Sequence, residues 1–316
     1  MSLAKEFVRD VWALILGGSS GFGLAVAHKL AEHGMNLCLV HRDRRGAMSR
    51  IEAEFARIRS TGVSLLTFNA DALDAATRTT VLDQIASVVG ATGHVRVLLH
   101  SIAFGNLKLI APGKASSHHA RGALASALGV DEGRLTTSVN SLFEQGVDAL
   151  HTLVGPPAYS NSYLDDEDLA RTIYSMGTSL VGWTQEMLRR GLFADDARIF
   201  GLTSEGNQLA WKGYAAVAAA KAALESIVRA IAVELAPYGI RANVIQAGIT
   251  DTPALRAIPG SDRLRAQARL RNPFGRLTTP LDVANVIYLL SLDEAAWVNG
   301  EIIRVDGGEH ISGGMP

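Results

Sequence analysis

The stretch VWALILGGSSGFG, Val11–Gly23, runs from six apolar residues into a glycine-rich loop and on into helix-forming residues. A short apolar run that ends in turn residues reads as a strand buried on both faces. Gly17, Gly21 and Gly23 follow it in the spacing Gly-x3-Gly-x-Gly. Glycine allows a tight turn and lets the backbone approach a ligand with no Cβ in the way. A helix that opens at such a loop aims its free N–H groups and its positive end at the same point, which suits a pyrophosphate. Strand, loop and helix in this order predict dinucleotide binding; the competing reading is a plain strand-to-helix turn.

Outward from this stretch the pattern repeats. Asn36–His41, Ser64–Asp71, Val95–Ala103, Ala197–Ser204, Arg241–Gly248 and Glu301–Gly308 are further apolar, strand-like runs. Helical segments are expected at Phe22–His33, from Met48 through Gly62, and near Ala75–Val89. Strands alternating with helices predict an α/β fold, a Rossmann-type doubly wound parallel sheet of about seven strands. The 316 residues suffice for one dinucleotide-binding domain, 1–316.

One region breaks the rhythm. Residues 107–163 carry no strand signal and read as a helical insertion after strand four. Ligands of open α/β sheets bind beyond the carboxyl ends of the strands, so this insertion leaves on the ligand side and could form a lid or a subunit contact. Val139, Leu142, Phe143, Val147, Leu150 and Leu153 form a helical stripe, with Thr136, Thr137 or Ser138 as candidate caps. His118 and His119 are adjacent, so on a helix they diverge by about 100° and suit one ion poorly. No metal site is expected.

Bulk composition narrows the function classes. Net charge is −1, so no basic field points to nucleic acid or an anionic membrane. The single cysteine, Cys38, excludes an internal disulfide framework and reads as an apolar filler. No run of roughly 18 apolar residues and no apolar leader segment is present, so neither a membrane span nor export is expected, and a cytoplasmic protein is the default.

The end of the second strand reads LVHRDRR. Val40 and His41 are not acidic, whereas an NAD site usually has an acid there for the ribose hydroxyls. Arg42 follows, with Arg44 and Arg45 close by. A guanidinium matches a 2′-phosphate with charge-assisted bonds, so NADP(H) is the expected cofactor. The alternative is a solvated basic turn, and Asp43 weighs on that side. Asp71, closing the third strand, could accept from the adenine amino group or cap the next helix.

In GYAAVAAAK, Gly213–Lys221, a phenol and an amine stand seven residues apart with only Ala and Val between. Seven residues advance a helix about 700°, nearly two turns, so the pair shares one face roughly 10 Å apart. A nearby ammonium favours the phenolate and strengthens the phenol as a donor. The bland alternative is a helix-start tyrosine with an exposed lysine.

Together these features resemble the short-chain dehydrogenase/reductase superfamily: Gly17-x3-Gly21-x-Gly23, Asp71, Tyr214, Lys221, the RANVIQAG strand and the C-terminal VDGG. The resemblance covers most of the chain outside 107–163. Most members carry Tyr-x3-Lys, but position four after Tyr214 is Ala218. Tyr-x6-Lys is similar instead to the enoyl-[acyl-carrier-protein] reductases. LLHSIAFG after strand four resembles their segment too. Ketone-reducing members place a serine where this chain has Gly201 and an asparagine on the helix before strand five, which TIYSMGTSLVGWTQE lacks. The compact glycine loop resembles the NADPH-dependent branch of the enoyl reductases, in agreement with Arg42.

The resemblance implies catalytic roles for Tyr214 and Lys221. It implies cofactor contacts from Gly17, Ser19, Ser20, Gly21, Phe22, Gly23, Arg42, Asp71, Ala72, Ser101, Ile102, Ala103, Lys221, Gly248, Ile249 and Thr252. It implies substrate contacts from Phe104, Thr203, Ser204, Tyr214 and Leu255. The expected reaction is NADPH reduction of an enoyl thioester on acyl carrier protein or CoA, as in fatty-acid biosynthesis. Carbonyl reduction, with Thr203 or Ser204 replacing the missing serine, is the alternative, and a non-catalytic NADP-binding protein is the second. Arg256, Arg263, Arg265, Arg269 and Arg271 could meet an acidic carrier or a phosphopantetheine, or form a solvated helix face. By resemblance the assembly is a homotetramer or a homodimer.

Overall fold

Strand β1, Val11–Leu16, is buried along nearly its whole length because it pairs in parallel with β2, Asn36–His41, on one edge and with β4, His94–His100, on the other. The computed structural model that shows this describes residues 7, 10–89, 94–112, 119–154, 157, 159 and 162–313. Helices α1 (Gly21–Glu32), α2 (Met48–Ser60) and α3 (Ala75–Val89) and strand β3 (Leu65–Asn69) complete the first half. After β4 come α4 (His119–Leu128), α5 (Glu132–Glu144), α6 (Asp166–Ile173) and α7 (Ser179–Arg189). Then follow β5 (Phe193–Ser204), α8 (Ala215–Glu234), β6 (Arg241–Ala247), α9 (Pro253–Arg256), α10 (Ser261–Arg271), α11 (Pro280–Leu290) and β7 (Ile302–Val305).

The seven strands run in the order β3-β2-β1-β4-β5-β6-β7, all parallel. The order reverses between β1 and β4, which opens a crevice above their carboxyl ends. Alternation along each strand sends neighbouring side chains to opposite faces. Leu14, Leu16 and Leu98 therefore pack with α3, α7 and α8 on one face. Ala13, Ile15, Val97 and Leu99 pack with α1, α2 and α11 on the other. Cys38 is a buried member of the first core, and burial raises its thiol pKa.

Strand boundaries follow the sequence within three residues, β4 ending at His100 and β7 at Val305, except at β5, which begins at Phe193 rather than Ala197. Asp196 interrupts the apolar pattern but is held by Arg96, Arg198 and Arg241, so the strand continues through it.

The region 107–163 departs further from expectation. Thr136, Thr137 and Ser138 are not caps: α5 starts at Glu132, with the Asp131 carboxylate accepting from Arg134 N at 3.0 Å. Thr136 and Thr137 lie inside the helix and donate to the carbonyls of Glu132 and Gly133. The expected stripe is cut because α5 ends at Glu144 and Gly146 adopts φ 97°, which a helix cannot contain. Val139 is buried, whereas Leu142 and Val147 are exposed. His118 and the His119 side chain lie outside the described residues. The segment is tied to α10 by Asp148, whose two carboxylate oxygens accept from Arg269 at 2.5 and 2.6 Å.

Between α6 and α7 one turn, Tyr174–Thr178, widens to i→i+5 bonding. A Cβ on Gly177 would stand 2.7 Å from the Ala220 carbonyl oxygen, so this turn lies directly on α8. Among the described residues, no helix is long and apolar enough to cross a membrane.

Candidate active site

A cavity of about 530 Å³ opens at the carboxyl ends of the strands, where the strand order reverses. All of the sequence-predicted site residues line it except Gly23.

The floor is the loop after β1. Gly17 N and Gly18 N both donate to Val40 O, at 2.8 and 3.2 Å, which folds the loop back over β2. Gly17 has φ 92°, and a Cβ there would stand 2.4 Å from Ser101 O. Gly23 explains its own absence from the lining: a Cβ on it would stand 2.1 Å from Gly17 O, so it lets α1 rest on the loop from behind. Ser20 is the N-cap of α1 but its side chain makes no capping bond, and the first turn holds no acid. Unsatisfied helix N–H groups therefore face the cavity, which fits the pyrophosphate of a dinucleotide.

At one end of the cavity Arg42 donates to Asp71 at 2.7 Å. Asp71 does not cap the following helix; Asp74 does, accepting from Thr77 N at 2.7 Å. The Asp43 carboxylate is engaged by His41 Nδ1 at 2.9 Å. Arg44 and Arg45 are exposed and lie outside the lining. Phe104, expected at the substrate, lines the cavity with Arg42 4.5 Å and Arg171 5.1 Å from its ring centre. The chain leaving β4 carries it to this end because the Phe104 carbonyl is bonded by Ser175 Oγ.

At the other end stand Tyr214 and Lys221. Tyr214 is the N-cap residue of α8, and its carbonyl accepts from Ala218 N at 2.8 Å. Its hydroxyl lies 3.2 Å from Ser204 Oγ. Burial raises the phenol pKa, and the Ser204 bond offsets this only in part. The ammonium effect expected from the sequence is not what sets this group: Tyr214 is a protonated donor at neutral pH. Lys221 is buried, not exposed, and donates to Leu202 O at 2.7 Å. Burial pushes its pKa down to about 8, against the opposing charge of Glu225. Glu225 accepts from Thr203 Oγ1 at 2.6 Å and from Asn207, so the Thr203 hydroxyl is spent inward. Ser204 is thus the hydroxyl offered to the cavity.

Gly201 sits deeper, paired with His100, and a Cβ on it would already stand 3.1 Å from Leu224 Cδ2. His100 is fully buried, with Nε2 2.9 Å from Ser179 Oγ. Burial, and then the charge of Lys221, push its pKa down to about 3, so its ring is neutral.

These shifts give a pH expectation. Lys221 is charged below about 8 and loses its proton as pH rises through that value, whereas Tyr214, with its pKa raised, stays protonated there. Measured kcat/KM should therefore stay level to about pH 7 and fall with one ionisation near 8, because kcat/KM reports groups of the free enzyme. A flat profile to about pH 9.5 would contradict the role of the ammonium.

Several lining residues carried no sequence signal. Trp211 stacks edge-on against Tyr214 at 5.2 Å, and Met176, Val217 and Ile258 complete an apolar wall around the phenol. The turn between α6 and α7 brings Met176 in, and no periodicity announces that. Glu205 is buried and bound by Arg271, which also holds Glu309; Glu309 accepts from Ile249 N at 3.2 Å. This network fixes the loop after β6. Arg256 and Arg265 pair with Asp251, and Arg269 pairs with Asp148. Four of the five arginines expected to face a carrier are therefore engaged by the protein's own carboxylates; Arg263 is not among them.

Comparison with known proteins agrees with this geometry. The family model described as enoyl-(acyl carrier protein) reductase matches residues 131–310, and the short chain dehydrogenase model matches residues 11–115. An NADH-dependent enoyl-[acyl-carrier-protein] reductase of Aquifex aeolicus is 36% identical over 135 residues, covering 43% of this chain and 50% of that protein. The chain thus spans about half the length of the first curated relatives it matches. A 3-oxoacyl-[acyl-carrier-protein] reductase of Escherichia coli is 29% identical across 72% of this chain and 98% of its own length. The crystal structure of the Aquifex aeolicus enoyl reductase superposes with TM-score 0.71 at 22% identity, covering 97% of this chain and 99% of that one. With its parallel seven-stranded sheet, its glycine loop and its Tyr214–Lys221 pair at the crevice, the chain belongs to the short-chain dehydrogenase/reductase family, a family of nicotinamide-dependent oxidoreductases, and matches the enoyl-(acyl carrier protein) reductase model within it.

Proposed function

We propose that the protein reduces the C2=C3 double bond of an enoyl thioester, carried on acyl carrier protein or CoA, with NADPH. The observation that carries this reading is the buried, protonated Tyr214 hydroxyl beside an apolar wall, with Lys221 buried seven residues on. When bound, the nicotinamide supplies a hydride to Cβ. Negative charge then develops on the thioester oxygen, and Tyr214 donates a hydrogen bond to it, the electrostatic role of an oxyanion hole. Lys221 holds the nicotinamide ribose. Trp211, Met176 and Val217 keep water from the acyl chain. A proton reaches Cα from solvent. The glycine loop and the α1 N-terminus hold the pyrophosphate, and Arg42 meets the 2′-phosphate.

One observation favours a second reading. Ser204 Oγ lies 3.2 Å from the Tyr214 hydroxyl, so a hydroxyl stands beside the phenol even though Gly201 lacks one. Carbonyl reduction needs such a partner for proton donation to an alkoxide, and a 3-oxoacyl reductase is among the relatives. Assays of NADPH oxidation with crotonyl-CoA and with acetoacetyl-CoA separate the two. Turnover of crotonyl-CoA is expected to exceed that of acetoacetyl-CoA by at least about tenfold in kcat/KM, about 1.4 kcal/mol of transition-state preference. The reverse order would establish the carbonyl reading, and turnover of neither would favour a non-catalytic NADP-binding protein.

A further inference from the structure

We propose that Arg171, on α6, is a second guanidinium for the 2′-phosphate of NADP(H), set with Arg42 against the ring of Phe104; this rests on the NADP reading above. Arg42 alone is a poor match for that group. Its guanidinium is already bonded to Asp71 at 2.7 Å, and the pair has no net charge to offer. A phosphate monoester carries about −1.5 to −2 at neutral pH.

Arg171 supplies what is missing. Its guanidinium carbon lies 5.1 Å from the centre of the Phe104 ring, and that of Arg42 lies 4.5 Å from the same centre. The two guanidinium carbons therefore lie no more than about 10 Å apart, and a phosphate at the edge of the ring, held by N–H···O bonds from both, needs them roughly 8 Å apart. Among the described residues, Arg171 has no carboxylate partner, and its one specific contact is with the ring. Of the two cations on this ring only Arg42 is bonded to a carboxylate, which leaves the charge of Arg171 for an anion to neutralise.

The placement is built into the fold. Tyr174, one turn further along, donates from its hydroxyl to Leu73 O at 3.0 Å, and Trp183 donates to Ala72 O at 2.9 Å. Both carbonyls belong to the loop after β3, which lines the cavity beside Asp71. The turn and helix that follow α6 are thus tied to the rim at the Arg42 end of the site, with Arg171 exposed just beyond the cavity lining. The plain alternative is that Arg171 only stacks on Phe104, a contact indifferent to the phosphate.

Fluorescence titrations of wild type, Arg171→Ala and Arg171→Lys with NADPH and NADH, and displacement by 2′,5′-ADP and 5′-AMP, distinguish these. Arg171→Ala is expected to weaken NADPH and 2′,5′-ADP about tenfold and to leave NADH and 5′-AMP within about twofold, with Arg171→Lys recovering part of the loss. Equal losses for NADPH and NADH, or no loss for either, would overturn the inference. Equal wild-type affinity for NADPH and NADH would sink the NADP reading and this proposal with it. A wild-type preference for NADPH that survives Arg171→Ala in full would overturn the role of Arg171 alone.

Discussion

Replacing Tyr214 by Phe lowers kcat by roughly 10²–10³ and leaves NADPH affinity within about twofold. The ring stays, so its edge-on contact with Trp211 and its place against Met176 and Val217 are kept. Only the hydroxyl goes, and with it the donor to the developing oxyanion. In a cavity screened from water such a donor acts in a low dielectric and is not replaced by solvent. Ser204 loses its partner at 3.2 Å, a minor stability cost because Ser204 is only half-buried. Steady-state kinetics with the preferred acyl substrate, together with an NADPH titration, test this. A loss of cofactor binding as large as the loss of kcat would move Tyr214 from the chemistry to the cofactor site. An unchanged kcat would remove it from both.

Gly23→Ala has the second large effect, and it acts on the scaffold. A Cβ at Gly23 would stand 2.1 Å from Gly17 O and 3.3 Å from Ser101 Oγ. The nearer atom is backbone, so relief requires α1 to lift away from the phosphate loop. Overpacking against backbone of this kind should cost about 3–4 kcal/mol, at the upper end for a single methyl. For a chain of this size that corresponds to a fall in Tm of about 10 °C. The N–H groups of the loop and first turn would shift together, so NADPH affinity should fall by about 100-fold or more. Gly46→Ala is the control: nothing stands within 4 Å of its Cβ, and it should change neither quantity. Thermal melts and cofactor titrations of the two variants should therefore diverge. Matching behaviour would mean that the close packing of α1 on the loop is not what requires glycine at position 23.

Much of the fold was legible because it rests on local rules. Runs such as VWALIL and NLCLVH announce strands covered on both faces, and the structure buries them as expected. Gly17 was legible because its φ of 92° is a demand that the residue type itself reveals. The caps of α5 were misread since Thr136 and Thr137 satisfy their hydroxyls on helix carbonyls just as readily as they cap. The site was less legible than the fold. The resemblance implies a substrate contact for Phe104 but not its place against Arg42, since Ser175 and the widened turn after α6 hold the chain leaving β4.

By itself the sequence determined the α/β alternation, the phosphate loop and the phenol–amine pair seven residues apart, all properties of periodicity and backbone freedom over short stretches. Only the tertiary structure decided the state of those groups: a phenol kept protonated by burial, a lysine whose pKa is brought down to about 8, and Ser204 rather than Thr203 presenting a hydroxyl to Tyr214. It also decided that the arginines of α9 and α10 are mostly spent on Asp148, Asp251, Glu205 and Glu309, and that Arg171 and Arg42 both lie against the ring of Phe104. Ionisation and pairing depend on which distant segments exclude water from a group and which charges they bring to it, and neither is written in the spacing of residues along the chain.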